Sequence, residues 1–269
     1  GCGRRRKNSK MKKYIKGFFD YRFLLSELVK RGIRLKYRKS YLGIVWSLIE
    51  PLMTTAVLVV VFGALFDRLK DQTFATYIMC GRLTYTFFQN GTKGASKAIR
   101  GNASMIKKVY VPKYLYPLSN VLYNFIIYLI SLVVLVPVLI ISHLAPSLRM
   151  WKLIPAIVML LILTIGVGMI LSVLDVFFRD IEYLWNVLLM IIMYLSAIFY
   201  PIERIEKHHL MWLLHLNPLY CIINLFRGGL MHYSNSLWEY GYPFIFGLIC
   251  FVIGLIAMKR KQDEFILHL

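Results

Sequence analysis

Six stretches of this chain run without a single Asp, Glu, Lys or Arg: residues 51–66, 114–148, 153–174, 183–202, 208–226 and 240–258. A seventh, residues 72–92, is interrupted only by Arg82. A helix needs roughly 20 apolar residues to cross a hydrocarbon core of about 30 Å, and most of these windows reach that length. The pattern predicts an all-α integral membrane protein that crosses the bilayer several times.

The basic residues between the windows set an orientation. Six transmembrane helices are expected near residues 44–66, 73–92, 117–141, 153–174, 183–200 and 242–258. With both termini on the cytoplasmic side, 25 of the 33 Lys and Arg fall inside, 7 fall outside, and Arg82 lies within a span. Such a bias satisfies the positive-inside rule. Window 208–226 fits less well, because it carries His215, Asn217, Pro218 and Asn224, and Arg227 follows at once. Taken as a seventh span, it would put Lys259, Arg260 and Lys261 outside. It is read instead as re-entrant or interfacial helices on the outer face between spans 5 and 6, where protein covers the broken backbone.

Two regions result: a basic N-terminal arm, residues 1–42, and a six-span domain, residues 43–269. The net charge of +20 follows from the topology and from attraction to anionic membrane lipids, so no nucleic-acid partner is inferred from it. Within the arm, apolar residues at 14, 15, 18, 19, 25, 28 and 29 recur at helical spacing among lysines and arginines. Such a helix is amphipathic and lies in the headgroup plane, as an interface anchor alone or also as a contact for a cytoplasmic partner. The ten residues before Met11 are assigned no structural role, and no cleavable signal peptide is expected. Cys2, Cys80, Cys221 and Cys250 show no paired spacing, so neither a disulfide framework nor a metal site is expected.

The chain contains no G-x-x-x-x-G-K-[ST], so the backbone cradle for nucleotide phosphates is missing. If this membrane protein drives transport with ATP, a separate subunit must bind ATP and Mg²⁺, and no cofactor is expected on this chain. Loop 93–113 is the best docking segment for such a subunit. It is basic and helix-compatible, and it ends at Pro112, which would stop a short helix. A plain solvated loop is the alternative. Tyr77, Gly81, Tyr85 and Phe88 share one face of the second span. Their rings offer flat apolar faces on which sugar C–H surfaces can stack, or they simply pack the helix. Glu50 and Arg82 are the clear charges well inside spans, roughly 9 Å and 14 Å deep at the helical rise. Buried ionisable groups need a partner or a wet cavity. No catalytic constellation is visible, since His208 and His209 are adjacent and would point apart on a helix.

Residues 31–52 carry a basic, aromatic-ended segment through Leu42-Gly43 into Trp46 and then a span bearing Pro51. Asn102 to Pro112 follows the second span, and Val176-Phe177-Phe178-Arg179-Asp180 follows the fourth. Ser196-Ala197-Ile198-Phe199-Tyr200-Pro201 is followed by Leu216-Asn217-Pro218-Leu219. In this order the four stretches resemble the ABC-2 type permease subunits of bacterial ABC exporters that move O-antigens, capsules and teichoic acids. The resemblance runs from about Leu28 to the C-terminus. The chain departs from that pattern at Gly32, where an acidic residue is usual, and at Ala197, in place of a common proline. It departs again at Asp175, more often Asn, and at Arg82, usually apolar.

The resemblance implies a permease that works as a homodimer with two copies of an ABC ATPase and exports a lipid-linked glycan across the bacterial cytoplasmic membrane. It implies coupling to the ATPase through Asn102, Ile106, Lys107, Lys108, Arg179 and Asp180. The aromatic face and the two intramembrane charges read above make Glu50, Tyr77, Arg82, Tyr85 and Phe88 the candidate substrate path, and the resemblance implies an outer gate at Tyr200, Pro201, Asn217 and Pro218. Arg82 is then either the partner of Glu50 or a contact for the glycolipid phosphate. The rival function is a membrane-bound glycosyl- or acyltransferase, which would need an acidic or histidine constellation. A secondary transporter is disfavoured by the scarcity of acids in the spans.

Overall fold

The computed structural model describes residues 21–38, 40–107, 111–144, 147–202, 211–261 and 264–265, and their regular structure is all helical, with no strand among them. The part of the arm before Tyr21, and Lys108, lie outside the described residues. The arm helix α1 spans Arg22–Tyr37 and so runs well past the expected end at Val29. Gly32 explains how it rests on the bundle. A Cβ at that position would lie 2.5 Å from the Tyr123 ring, so any side chain there would have to push the ring aside.

Gly43, at φ +50°, turns the chain from the arm into a short 3₁₀ segment and then α2, Trp46–Leu65. Inside α2, Pro51 lacks the N–H that would bond the Ser47 carbonyl. Ser131, from the helix α6 described below, donates to that carbonyl instead at 2.9 Å. Next come α3, Phe74–Ser96, and two single-turn helices, α4, Ala98–Gly101, and α5, Ala103–Ile106. The third expected span is α6, Leu115–Ser131, continued by α7, Leu135–Ile141, with a 3₁₀ turn between them. Pro137 withholds the N–H that would bond Val133, which accounts for the tightened turn. Then follow α8, Leu153–Phe177, α9, Ile181–Tyr194, and the short pair α10, Met211–His215, and α11, Pro218–Leu230. The last helix is α12, Leu237–Lys261.

Among the described residues, four helical stretches are long and apolar enough to cross a membrane: Gly43–Leu65, Leu115–Ile141, Met150–Phe177 and Leu237–Lys261. Two expected spans differ. Helix α3 has the length, 23 residues, but is more polar, and 15 of its residues are buried. Wrapped by α2, α6, α8 and α11, it does not need an apolar surface toward lipid. Helix α9 is apolar but stops after 14 residues at Tyr194, where residues up to Tyr200 had been expected to continue it.

The helices approach closely through small residues. A Cβ on Gly166 would lie 2.5 Å from the Phe251 backbone nitrogen, and one on Gly254 would lie 3.0 Å from the Gly166 carbonyl, so α8 and α12 touch almost backbone to backbone. On another face of α8, Gly168 meets Ala95 and Thr164 meets Gly91, both from α3. At the end of the bundle that carries Lys97, Arg100 and Lys259, a separate apolar cluster joins Ala98, Ile99 and Ile106 to Tyr116, Val173, Val176, Met258 and Phe265. This basic end and the opposite, far end frame the functional geometry below.

Overpacking a tight helix contact typically costs about 1–3 kcal/mol. Gly166→Leu should lower the thermal midpoint of the purified protein by at least that equivalent, because its neighbour is backbone. Gly241→Ala, whose new methyl meets nothing within 4 Å, should leave it unchanged or raise it slightly.

Candidate functional site

A cavity of about 280 Å³ lies between α1, α2, α3 and α6. Glu50, Thr54, Arg82 and Asn124 line it, and a second cavity of about 740 Å³ shares Lys36, Glu50, Asn90 and Asn124 with it. Arg31 and Lys93 border the second. Lys36 and Arg82 line the first cavity and Arg31, Lys36 and Lys93 the second, so across the two spaces four cations accompany the one carboxylate, Glu50. Glu50 and Arg82 reach the same space, but among the described residues no ion pair joins them.

The expected aromatic face of α3 is held by protein. Tyr85 is buried and donates its hydroxyl to the Leu189 carbonyl on α9 at 2.9 Å. Phe88 is buried against Trp185, whose indole N–H donates to Thr92 at 3.0 Å. Tyr77 donates to the carbonyls of Ala197 and Tyr200, both at 2.9 Å. Spacing placed these residues correctly on one face. What covers that face is α9 and the turn after it.

That turn is built from the expected gate residues. Asn217 caps α11 by accepting from Leu219 N–H, with Pro218 in the first helical turn, where its missing N–H does no harm. The same Asn217 donates to Ser196 Oγ at 2.9 Å and to the Leu195 carbonyl at 3.2 Å. Tyr200 donates to the Tyr194 carbonyl, and Pro201 is buried behind it. Ala197 has φ +47°, a left-handed conformation that a proline ring cannot adopt, which accounts for the departure there.

Arg227 is one of the seven charges counted in outer segments, and the charge count gives no sign of its burial. It is fully buried, with its guanidinium 3.5 Å from the centre of the Tyr77 ring. It donates to the carbonyls of Tyr77 and Ala197 at 3.2 and 2.9 Å, while Nη1 has no hydrogen-bond partner among the described residues. Gly81 makes the room, since a Cβ there would lie 2.9 Å from Nη2. An arginine closing an apolar run just before Gly228-Gly229 was the available signal. Beside this turn, a far-end cavity of about 640 Å³ is lined by Asp71, Tyr77, Tyr220, Asn224 and Glu239, among others. Burial alone would raise the Asp71 carboxyl, but the Thr73 hydroxyl and N–H and the Arg68 guanidinium hold it below the usual range.

At the basic end, Asn102 donates to the Ala98 carbonyl at 2.8 Å and so closes the turn between α4 and α5. Ile106 points into the apolar cluster, leaving Ser104, Met105 and Lys107 exposed. Arg179 and Asp180 are exposed at the corner between α8 and α9. The sequence reading missed the ion cluster between these segments. Arg100 Nη2 lies 3.3 Å from both Asp175 and Glu182, Lys97 also pairs with Glu182, and Asp175 is completely buried.

Losing a hydrogen bond costs about 1 kcal/mol, and stranding a buried charge costs several-fold more. Tyr77→Phe should therefore lower stability by about 1 kcal/mol. Tyr77→Ala, which also strips the ring from Arg227, should cost about 3 kcal/mol or more in the same thermal or denaturant melt.

Residues 24–231 match the family described as ABC-2 type transporter. The chain is similar to the O-antigen export system permease protein RfbA of Klebsiella pneumoniae, at 29% identity over 95% of this chain and 97% of that protein. It is similar to the polysialic acid transport protein KpsM of Escherichia coli, at 25% identity over 92% and 96%. A third relative is the capsule polysaccharide export inner-membrane protein CtrC of Neisseria meningitidis serogroup B, at 23% identity over 89% and 91%. With apolar helices of membrane-crossing length, a basic end and a match across most of its residues, the chain belongs to the ABC-2 type transporter family.

Proposed function

We propose that this chain is the permease subunit of an ATP-driven exporter that moves a lipid-linked polysaccharide across the bacterial cytoplasmic membrane. The observation that carries this reading is near full-length similarity to relatives named for O-antigen, polysialic acid and capsule export. The chain is a transport permease without nucleotide-binding motifs, and ATP hydrolysis belongs to a separate subunit. Teichoic acid is a further polymer of the same general kind.

In this reading the spans are α2, α3, α6 with α7, α8, α9 and α12, with both termini cytoplasmic. Helices α10 and α11 form the outer re-entrant pair, supported by the burial of nearly every residue of α11. Two copies assemble with two ATPases, and the exposed apolar residues of α2 and α9 meet lipid or the second copy. The exposed residues near Asn102, with Lys107, Lys108, Arg179 and Asp180, form the docking surface, and Ile106 anchors it from within. The basic cavity at Arg82 and Glu50 receives the glycolipid phosphate, while Tyr77, Tyr85 and Phe88 stiffen the wall behind it. Asn217, Pro218, Tyr200 and Pro201 shape the outer gate.

Arg82 provides a direct test. Since it shares a cavity with Glu50 and no ion pair joins them, Arg82→Leu should leave the melting temperature of the empty protein close to that of the parent. Export should fall, and adding Glu50→Gln should restore nothing. A destabilised single variant rescued by the double variant would instead reveal a structural pair, whose one-sided loss costs about 3–5 kcal/mol. The function as a whole is tested by depletion. Loss of the protein should cause a lipid-linked polymer to accumulate on the cytoplasmic side, and unchanged polymer distribution would remove the exporter reading.

A further inference from the structure

We propose that Arg100 is a two-position coupler, shared between Asp175 on α8 and Glu182 on α9, whose choice of partner sets whether α9 is locked or released. The proposal rests on the exporter reading above and names residues that position the gate rather than touch the cargo.

Three observations support it. First, Arg100 Nη2 lies at the same distance, 3.3 Å, from Asp175 Oδ1 and from Glu182 Oε2. Neither contact is the close, forked pairing of which a guanidinium is capable. Second, the other carboxylate oxygen of Asp175, Oδ2, is buried and has no hydrogen-bond partner among the described residues. A second N–H from Arg100 would satisfy it. The fully formed Asp175 pair is therefore a distinct arrangement available to the same side chain, at the expense of the Glu182 contact.

Third, the two partners belong to bodies of different firmness. Asp175 is on α8, which is clamped to α12 through Gly166 and Gly254. Glu182 is in the first turn of α9, a 14-residue helix in which Leu189 alone is buried. Side-on, α9 is tied to α3 by the bonds from Tyr85 and Trp185. At its far end Asn217 holds the carbonyl of Leu195 and the hydroxyl of Ser196. A short helix held at mid-length by the Tyr85 and Trp185 bonds pivots about them, so a displacement of its first turn reaches its last. Arg100 itself lies on α4, in the loop proposed to dock the ATPase. Movement of that loop shifts the guanidinium between a fixed acid and a movable one, which is the bistable element that coupling between distant sites requires.

The prediction is a difference of sign. Glu182→Gln leaves Arg100 with Asp175, removes the Lys97 contact to the same carboxylate as well, and should release α9. Lys97→Met, which removes that contact but leaves Arg100 both partners, should behave as the parent. Asp175→Asn weakens the fixed partner and should keep α9 locked. Phe199, buried in the turn and stacked on Phe62 at 5.2 Å, reports the outcome. The assay uses the intact permease–ATPase complex in vesicles, carries Phe199→Cys, and measures its reaction rate with an impermeant maleimide added outside. Trapping with ATP and vanadate should raise that rate in the parent by about fivefold or more, the lower range of ordinary allosteric coupling. Glu182→Gln should show the raised rate without nucleotide, and Asp175→Asn should hold the low rate under trapping.

A merely structural role would move both carboxylate variants the same way, and that result overturns the proposal. So does a pair of carboxylate variants that behave as the parent, or a parent whose rate ignores trapping. Complementation of a deletion strain, scored as surface polysaccharide, is run alongside. If the parent gene restores none, the exporter reading fails, independently of what the maleimide rates say about Arg100.

Discussion

Close approach of helix backbones through glycine holds this bundle together. Lipid offers helices no hydrophobic reason to associate, so shape and short contacts must do so. Gly166 and Gly254 bring α8 and α12 together, and Gly168 and Gly91 bring α3 against α8. The consequence reaches the functional cavity. Because α3 is enclosed by its neighbours, it can bury Thr84 and Thr92, and it turns Arg82 and Asn90 onto the cavity. The same enclosure leaves α2, α9, α12 and the outer side of α6 and α7 as the apolar exterior.

Much of the fold was legible because charge is costly in hydrocarbon, so the gaps between charges mark the helices. The starts of α2, α3, α8 and α9 fall within a few residues of expectation for this reason. The end of α9 did not, since residues 195–202 are as apolar as the helix before them. What stops the helix is long-range: Asn217, Tyr77 and Arg227 claim carbonyls that a continued helix would have used. Periodicity holds no record of partners so far away in sequence.

The candidate site shows the same division. The depth of Glu50 and Arg82 was readable from residue counts, and both do reach one cavity. Whether they pair depends on side-chain reach across it, which counting cannot supply. Helical spacing put Tyr77, Tyr85 and Phe88 on one face but could not say that α9 and its turn cover them. Arg227 is the sharpest case. A charge count cannot distinguish an arginine in water from one lying on a tyrosine ring, and only the missing Cβ at Gly81 makes the second geometry possible.

The shortness of α9 carries a consequence for where water is needed. In the proposed topology, where α9 is the fifth span, its 14 residues rise about 21 Å, less than a hydrocarbon core of about 30 Å, and the turn that follows falls below the membrane surface. Exposed peptide groups at that depth have no solvent to bond. Here the carbonyls of Ile192, Tyr194, Leu195, Ala197 and Tyr200 are each taken by a side chain, from Ser196, Asn217, Tyr200, Tyr77 or Arg227. The kink is thus solvated by the protein's own polar groups. It can stay closed in a dry environment, and parting it demands that hydration arrive with whatever passes through.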